Sequence, residues 1–135
     1  MNRSTIGRTR PPLVVAAAAI AAALLSPTAA AAQTATAQTS DCELVVDAPI
    51  PSYGVFAKAT LTCQTVQHSI TIDSELLQDG VVVASTHEQT HKRSSFGAYV
   101  NVNDPAGDQV WCYRATAKVP PYTIGPLTSC ASEPF

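Results

Sequence analysis

The chain has 135 residues, including ten prolines and four cysteines, and a formal net charge of −2 at pH 7. Its first 32 residues contain three of the eight basic residues and none of the ten acidic ones, so the remainder carries five basic and ten acidic residues, a net charge of −5. An acidic chain without a basic cluster excludes nucleic acid and anionic lipid from the expected partners.

Residues 1–32 have the pattern of a signal peptide. Three arginines precede the apolar run Leu13–Leu25, whose 13 residues are fewer than the roughly 20 that a membrane-spanning helix needs. Small residues follow this run, and they allow cleavage after Ala32 or, as a second site, after Ala37. The pattern predicts a secreted, extracellular protein with no membrane attachment after cleavage.

The rest of the chain divides into a short leader and one domain. Residues 33–40 (QTATAQTS) have the composition of a disordered leader. Residues 41–135 are long enough for a single modest core, and all four cysteines lie there. No C-x-x-C spacing indicates a redox or structural zinc site. An even number of cysteines in a small exported chain therefore predicts two disulfides.

After residue 40 the sequence favours strands over helices. Runs rich in Val, Thr and Ser are separated by turn residues, and Asp79-Gly80 between two apolar runs is a strong signal for a two-residue hairpin. The pattern predicts an all-β fold, a seven-stranded immunoglobulin-like or fibronectin-like antiparallel sandwich with two disulfides. The predicted strands are Cys42–Asp47, Val55–Cys63, Ser69–Gln78, Val81–Thr86, Phe96–Val102, Val110–Val119 and Gly125–Cys130.

Strand register favours disulfides between neighbouring cysteines. If Cys42 faces Cys63 across a hairpin, the bridge shares its face with the apolar residues of both strands. If Cys112 faces Cys130, the bridge shares the more polar face with Arg114, whose guanidinium is expected to reach a carboxylate or carbonyl groups. The row that then points inward is Trp111, Tyr113, Ala115 and Ala117. A Cys63–Cys112 bridge of the antibody kind lacks its Trp on the third strand, but the sequence alone leaves three pairings open.

Residues 87–91 read His-Glu-Gln-Thr-His and match the H-E-x-x-H motif of zinc proteases. That motif needs a helix, whereas this segment follows a β-branched run and has no apolar stripe. On a strand the two histidines would lie about 13 Å apart, too far to share one zinc ion at bonds of about 2 Å. We interpret the match as fortuitous, a polar strand end and exposed loop. We predict no catalytic residue, no metal site and no cofactor.

Two proline-stiffened loops, residues 47–54 and 118–126, are candidate binding surfaces. Rigid loops lose little conformational entropy on docking, which suits recognition. Plain turn chemistry is the alternative explanation, and it is favoured. The candidate binding residues in these loops are Pro49, Pro51, Tyr53, Pro120, Pro121, Tyr122 and Ile124.

A cysteine-framed first hairpin containing Gly54, Ala57 and Ala59, with Tyr-Arg-Ala at 113–115, resembles small secreted actinobacterial proteins. The resemblance covers most of residues 42–130 and implies a structural likeness without an established activity, so no functional residue carries over. The leading hypothesis is a secreted, monomeric, non-catalytic module that binds an extracellular protein or glycan. The alternative is an inhibitor of a secreted hydrolase that inserts residues 118–126, and a zinc metalloprotease is a distant third.

Overall fold

The computed structural model describes residues 33–39 and 41–132, and its regular structure consists of β-strands. The predicted signal peptide lies outside these residues, as do residue 40 and the last three residues of the predicted domain. In the described ranges no helix has the length and hydropathy that a membrane crossing requires. The strands β1 to β7 are Ala35–Gln38, Cys42–Val46, Ile50–Pro51, Val55–Gln78, Val81–Val102, Val110–Val119 and Tyr122–Ser132.

All of these strands belong to one antiparallel sheet, which confirms the all-β class. The order along the sheet is β1-β2-β4-β6-β7, with β3 and β5 also paired to β4. The first half of β4 pairs with β2 and its second half pairs with β6. The sheet curls back on itself so that β1 and β2 contact β7. The core lies on the inner face of the curled sheet and is built from inward side chains of every strand except β3, whose two residues are exposed.

β4 joins two predicted strands, Val55–Cys63 and Ser69–Gln78, into one strand of 24 residues. A register shift against β5 falls between Thr62 and Gln67. The buried side chains change there from odd positions, such as Leu61, to even positions, such as Ile70. The polar residues in between can stay extended because their side chains are exposed and bury no polar group.

β5 likewise joins the predicted strands Val81–Thr86 and Phe96–Val102 through the polar segment between them. We expected residues 87–91 at a strand end and in a loop, and they lie instead in the interior of β5. The physical reason is that, among the residues that the structure describes, β5 pairs with β4 alone. A strand at the edge of a sheet can expose polar side chains without a solvation penalty.

The N-terminal leader also differs from the expectation of disorder. Residues 35–38 form β1 and pair with residues 43–46 of β2. Ala35 and Ala37 pack against the core, so the alternation of alanine with polar residues has the period of a half-buried strand. The composition of residues 33–40 did not predict this strand, because alanine adds little hydrophobicity to a segment.

Both disulfides follow the predicted pairing of neighbours, Cys42–Cys63 and Cys112–Cys130. In each case the two cysteines are directly opposite on adjacent strands, with Cα atoms 4.0 Å apart. The first bridge is buried with the apolar face, whereas Cys130 on the outer face is exposed. The predicted inward row of β6 is buried as well.

A small polar network lies inside this core. The Tyr113 hydroxyl donates a hydrogen bond to Ser74 Oγ over 2.8 Å, and Ser74 Oγ lies 2.6 Å from Thr86 Oγ1. Tyr113 is fully buried, and removal of its phenol from water raises the pKa above the ordinary value of 10.0. Burial therefore favours the neutral phenol, which remains hydrogen-bonded.

This raised pKa predicts a loss of stability in alkali. The contribution of Tyr113 is fully present below about pH 10, the ordinary pKa of tyrosine, and is lost as pH rises from there through the higher pKa of the folded state. Urea unfolding between about pH 9 and 11 should show a falling free energy of unfolding. Tyr113→Phe should flatten that slope, whereas Tyr122→Phe, at an exposed tyrosine, should leave it unchanged. An unchanged slope in Tyr113→Phe would contradict this assignment.

Candidate functional site

The outer face of β4, β5 and β6 carries a groove with a volume of about 660 Å³. We call it the polar groove because charged and hydroxyl side chains line it. Residues two apart on a strand share a face, so Asp73 and Glu75 of β4 point outward together. The strand register sets β5 and β6 residues beside them on both sides. The side chains that define the polar groove are Asp73, Glu75, Ser85, His87, Arg114 and Thr116.

Asp73 is held between two basic side chains from the neighbouring strands. Lys118 Nζ donates a hydrogen bond to Oδ2 over 2.7 Å, and His87 Nδ1 lies 2.5 Å from Oδ1. An ionised carboxylate only accepts hydrogen bonds, so Nδ1 of His87 carries the proton. The hydrogen bond from Lys118, followed by that from His87, lowers the pKa of Asp73 below its ordinary value of 3.8. Asp73 therefore remains an anion at neutral pH.

The lowered pKa of Asp73 predicts a loss of stability at low pH. The Asp73 pairs stabilise the fold above the ordinary carboxyl pKa, and their contribution is lost as pH falls through the lower folded pKa. The side chain is 36% exposed, so solvent screens both pairs and the effect on stability is small.

Glu75 forms the second ion pair of the polar groove, with Arg114 of β6. Arg114 Nε donates to Glu75 Oε2 over 2.9 Å, and Nη2 donates to the same oxygen. This contact confirms the prediction that the arginine on the cysteine face reaches a carboxylate. The two side chains are 40% and 42% exposed, so the ion pair contributes little to the stability of the fold. Its main effect is to fix the positions of the two side chains in the polar groove.

The H-E-x-x-H match does not form a metal centre in the described part of the chain. The segment is an extended strand, so the helix that the motif requires is not formed. His87 contacts Asp73, whereas the ring of His91 lies near that of His68, with centroids 6.3 Å apart. Within residues 33–39 and 41–132 no three His, Cys, Asp or Glu side chains gather around a common point for a metal ion. The two motif histidines therefore have separate neighbours.

Only some of the candidate binding residues in the two predicted loops are exposed. Pro49 and Ile124 are buried, so neither can contact a partner. Residues 118–126 are not a long loop, because the strands continue up to the pair Val119–Tyr122 and leave a two-residue turn. Ile124 is buried because it faces Ala117 in that ladder. The candidates that remain exposed are Pro51, Tyr53, Pro120, Pro121 and Tyr122.

Sequence reasoning identified the outward pair Asp73 and Glu75 but interpreted it as an ordinary solvated face. It did not identify which basic residues pair with these carboxylates, because Arg114 and Lys118 lie 39 and 45 residues away from the carboxylates that they bind. The available signal was the alternation of polar residues, at odd positions on β4 and at even positions on β6. That signal gives the face of each strand but not which strands are neighbours.

The fold and this surface define the chain as an all-β, two-disulfide domain with a polar groove on its outer face. No family model matches the chain, and neither the curated proteins nor the solved structures contain a match.

Proposed function

We propose that this protein is a secreted, non-catalytic binding module whose polar groove takes an uncharged, hydroxyl-rich ligand, that is, a glycan. The observation that carries the proposal is the array of carboxylate, guanidinium and imidazole groups fixed on three adjacent strands. Their positions on paired strands make the site largely pre-formed, so little conformational entropy is lost on binding.

The charge balance of the polar groove favours a neutral ligand. Asp73 is paired with Lys118, and Glu75 is paired with Arg114, so the fixed charges cancel. Both hydrogen bonds from Arg114 go to Oε2 of Glu75, which leaves Oε1 to accept from a ligand hydroxyl. Ser85 and Thr116 add hydroxyl groups to the lining. A guanidinium that donates beside carboxylates that accept suits the hydroxyls of a sugar ring, which do both.

The same contacts support a non-catalytic role. Glycoside hydrolysis by a carboxylate pair needs one protonated carboxyl as general acid. The lowered pKa of Asp73 keeps that residue ionised at neutral pH. Glu75 accepts two hydrogen bonds from the Arg114 guanidinium on Oε2. The pair therefore suits hydrogen bonding to a ligand and not acid catalysis.

Export and an immunoglobulin-like sandwich are parts of the same proposal. Two disulfides in a small domain are typical of an oxidising, extracellular environment. The contacts of β1 and β2 with β7 bring the two ends of the sheet together around one core, which is compatible with the sandwich. The inhibitor hypothesis has no comparable support, because residues 118–126 form a short turn between paired strands.

Arg114→Ala tests the groove directly. We expect at least about a tenfold loss of glycan affinity, because the variant removes a donor and frees Glu75 to move. The free energy of unfolding should fall by only about 0.2–1 kcal/mol, as for an exposed ion pair. A glycan array followed by calorimetry with the best oligosaccharide measures both quantities. Lys58→Ala, at an exposed β4 position outside the groove, is the matched control. Glycan binding that survives Arg114→Ala, or no binding by the unaltered protein, would refute the proposal.

A further inference from the structure

β5 leaves one edge of the sheet open. It has 22 residues, and among the described residues it pairs only with β4. An antiparallel edge strand directs half of its N–H and C=O groups away from its single neighbour. β5 also contains no proline, which is one of the usual devices for blocking a free edge. The edge is therefore chemically competent to add another strand.

The middle of this edge is complementary to itself. Glu88 and Lys92 lie two residues on either side of Thr90. If a second copy pairs antiparallel with a two-fold axis at Thr90, each Glu88 faces Lys92 of the other copy, and Gln89 faces His91. Directly opposed opposite charges stabilise an antiparallel pair, and like charges destabilise it. In this register both Glu88–Lys92 pairs form together, whereas a shift of one residue would place Glu88 opposite Arg93.

The local environment also favours a second copy. Four of the five residues from Glu88 to Lys92 are exposed and Thr90 is half-buried, so no described side chain covers this stretch. β5 carries one acidic and two basic residues, whereas the chain from residue 33 onward has a net charge of −5. Two copies therefore meet less charge repulsion along this edge than the net charge of the chain would give. Lys92 has φ of 53°, so regular strand geometry is interrupted there and the proposed pairing ends at Lys92.

We propose that β5 is a homodimer interface, in which Glu88–Lys92 of two copies pair antiparallel about Thr90 and join two sheets into one. The contact is isologous, with the same five residues on both sides and two equivalent ion pairs. The proposal departs from the expectation of a monomer and does not depend on the ligand of the polar groove.

Sedimentation equilibrium of the purified, oxidised protein over a concentration series tests the interface. We expect a reversible dimer. Glu88→Lys should raise its dissociation constant about tenfold or more, because two attractions become two repulsions, and Lys92→Glu should do the same. The double variant Glu88→Lys/Lys92→Glu exchanges the charges and should restore dimerisation. Asp104→Lys, at an exposed loop position, makes the same charge change as Glu88→Lys and should have little effect.

A cysteine at the proposed axis gives an independent readout. Thr90→Cys should form a disulfide-linked dimer under mild oxidation, because opposed Cβ atoms at a two-fold axis lie about 4.5–5.5 Å apart. Lys58→Cys, away from the β5 edge, should not. Melting curves confirm that each variant is folded. The proposal would be overturned if the protein stays monomeric up to about 1 mM. It would also be overturned if neither charge reversal changes the dissociation constant, or if the double variant does not dimerise.

Discussion

Trp111→Ala is expected to lower the free energy of unfolding by about 3–5 kcal/mol, as for other buried aromatic residues replaced by alanine. Trp111 is the largest fully buried side chain of the domain and is 1% exposed. Its removal leaves a cavity between the two halves of the sheet, which strands tied by two disulfides cannot readily close. A loss of this size is a large share of the about 5–15 kcal/mol that stabilises a domain.

Trp111→Phe is the informative companion variant. Nε1 of Trp111 is buried and makes no hydrogen bond in the described structure. An unsatisfied buried donor carries a desolvation cost of about 1–3 kcal/mol, so its removal offsets part of the lost packing. We expect Trp111→Phe to cost less than half of Trp111→Ala. Urea unfolding followed by far-UV circular dichroism measures both, since the chain contains no second tryptophan for fluorescence. Equal losses in the two variants would show that the indole N–H is satisfied in solution.

Reduction of both disulfides is expected to cost about 6 kcal/mol, which would unfold most of the protein at room temperature. The bridges join cysteines 21 and 18 residues apart. Each such loop contributes on the order of 3 kcal/mol by restricting the unfolded chain. A domain of this size with a modest core cannot replace that contribution by packing alone.

The disulfide that is more exposed to solvent should be reduced first. Cys130 is exposed on the outer face, whereas Cys42 and Cys63 are buried in the core. A reductant therefore reaches Cys112–Cys130 first, and Cys42–Cys63 opens only when the domain unfolds. Differential alkylation followed by mass spectrometry across a titration with a soluble phosphine should show two separate steps. Simultaneous loss of both bridges would mean that opening the first already unfolds the domain.

The proposed site and the proposed interface use neighbouring residues of β5 whose side chains point to opposite faces of the sheet. His87 of β5 points into the polar groove with Asp73. Glu88, the next residue, points to the other face, because successive side chains on a strand alternate. Glu88→Lys is therefore expected to alter dimerisation and not ligand binding, and Arg114→Ala the reverse.

The hairpins were determined by the sequence itself. The alternation of apolar residues around Cys42, Cys63, Cys112 and Cys130 is satisfied by one register in each pair of strands, because a shift of one residue would expose the whole apolar row. That register set both disulfides, and Asp79-Gly80, whose φ values of 49° and 83° suit a tight hairpin turn, set the turn between β4 and β5.

The tertiary structure alone decided which strands far apart in the chain became neighbours. Glu75 meets Arg114, and Asp73 meets Lys118, only because β6 adds to the second half of β4. β1 is ordered because it pairs with β2 and packs against β7 and the core. Such pairings depend on the cost of closing long loops and on the competition among all strands for one core. Alternation within a strand carries no information about that competition, so the polar groove and the open edge of β5 emerge only from the folded chain.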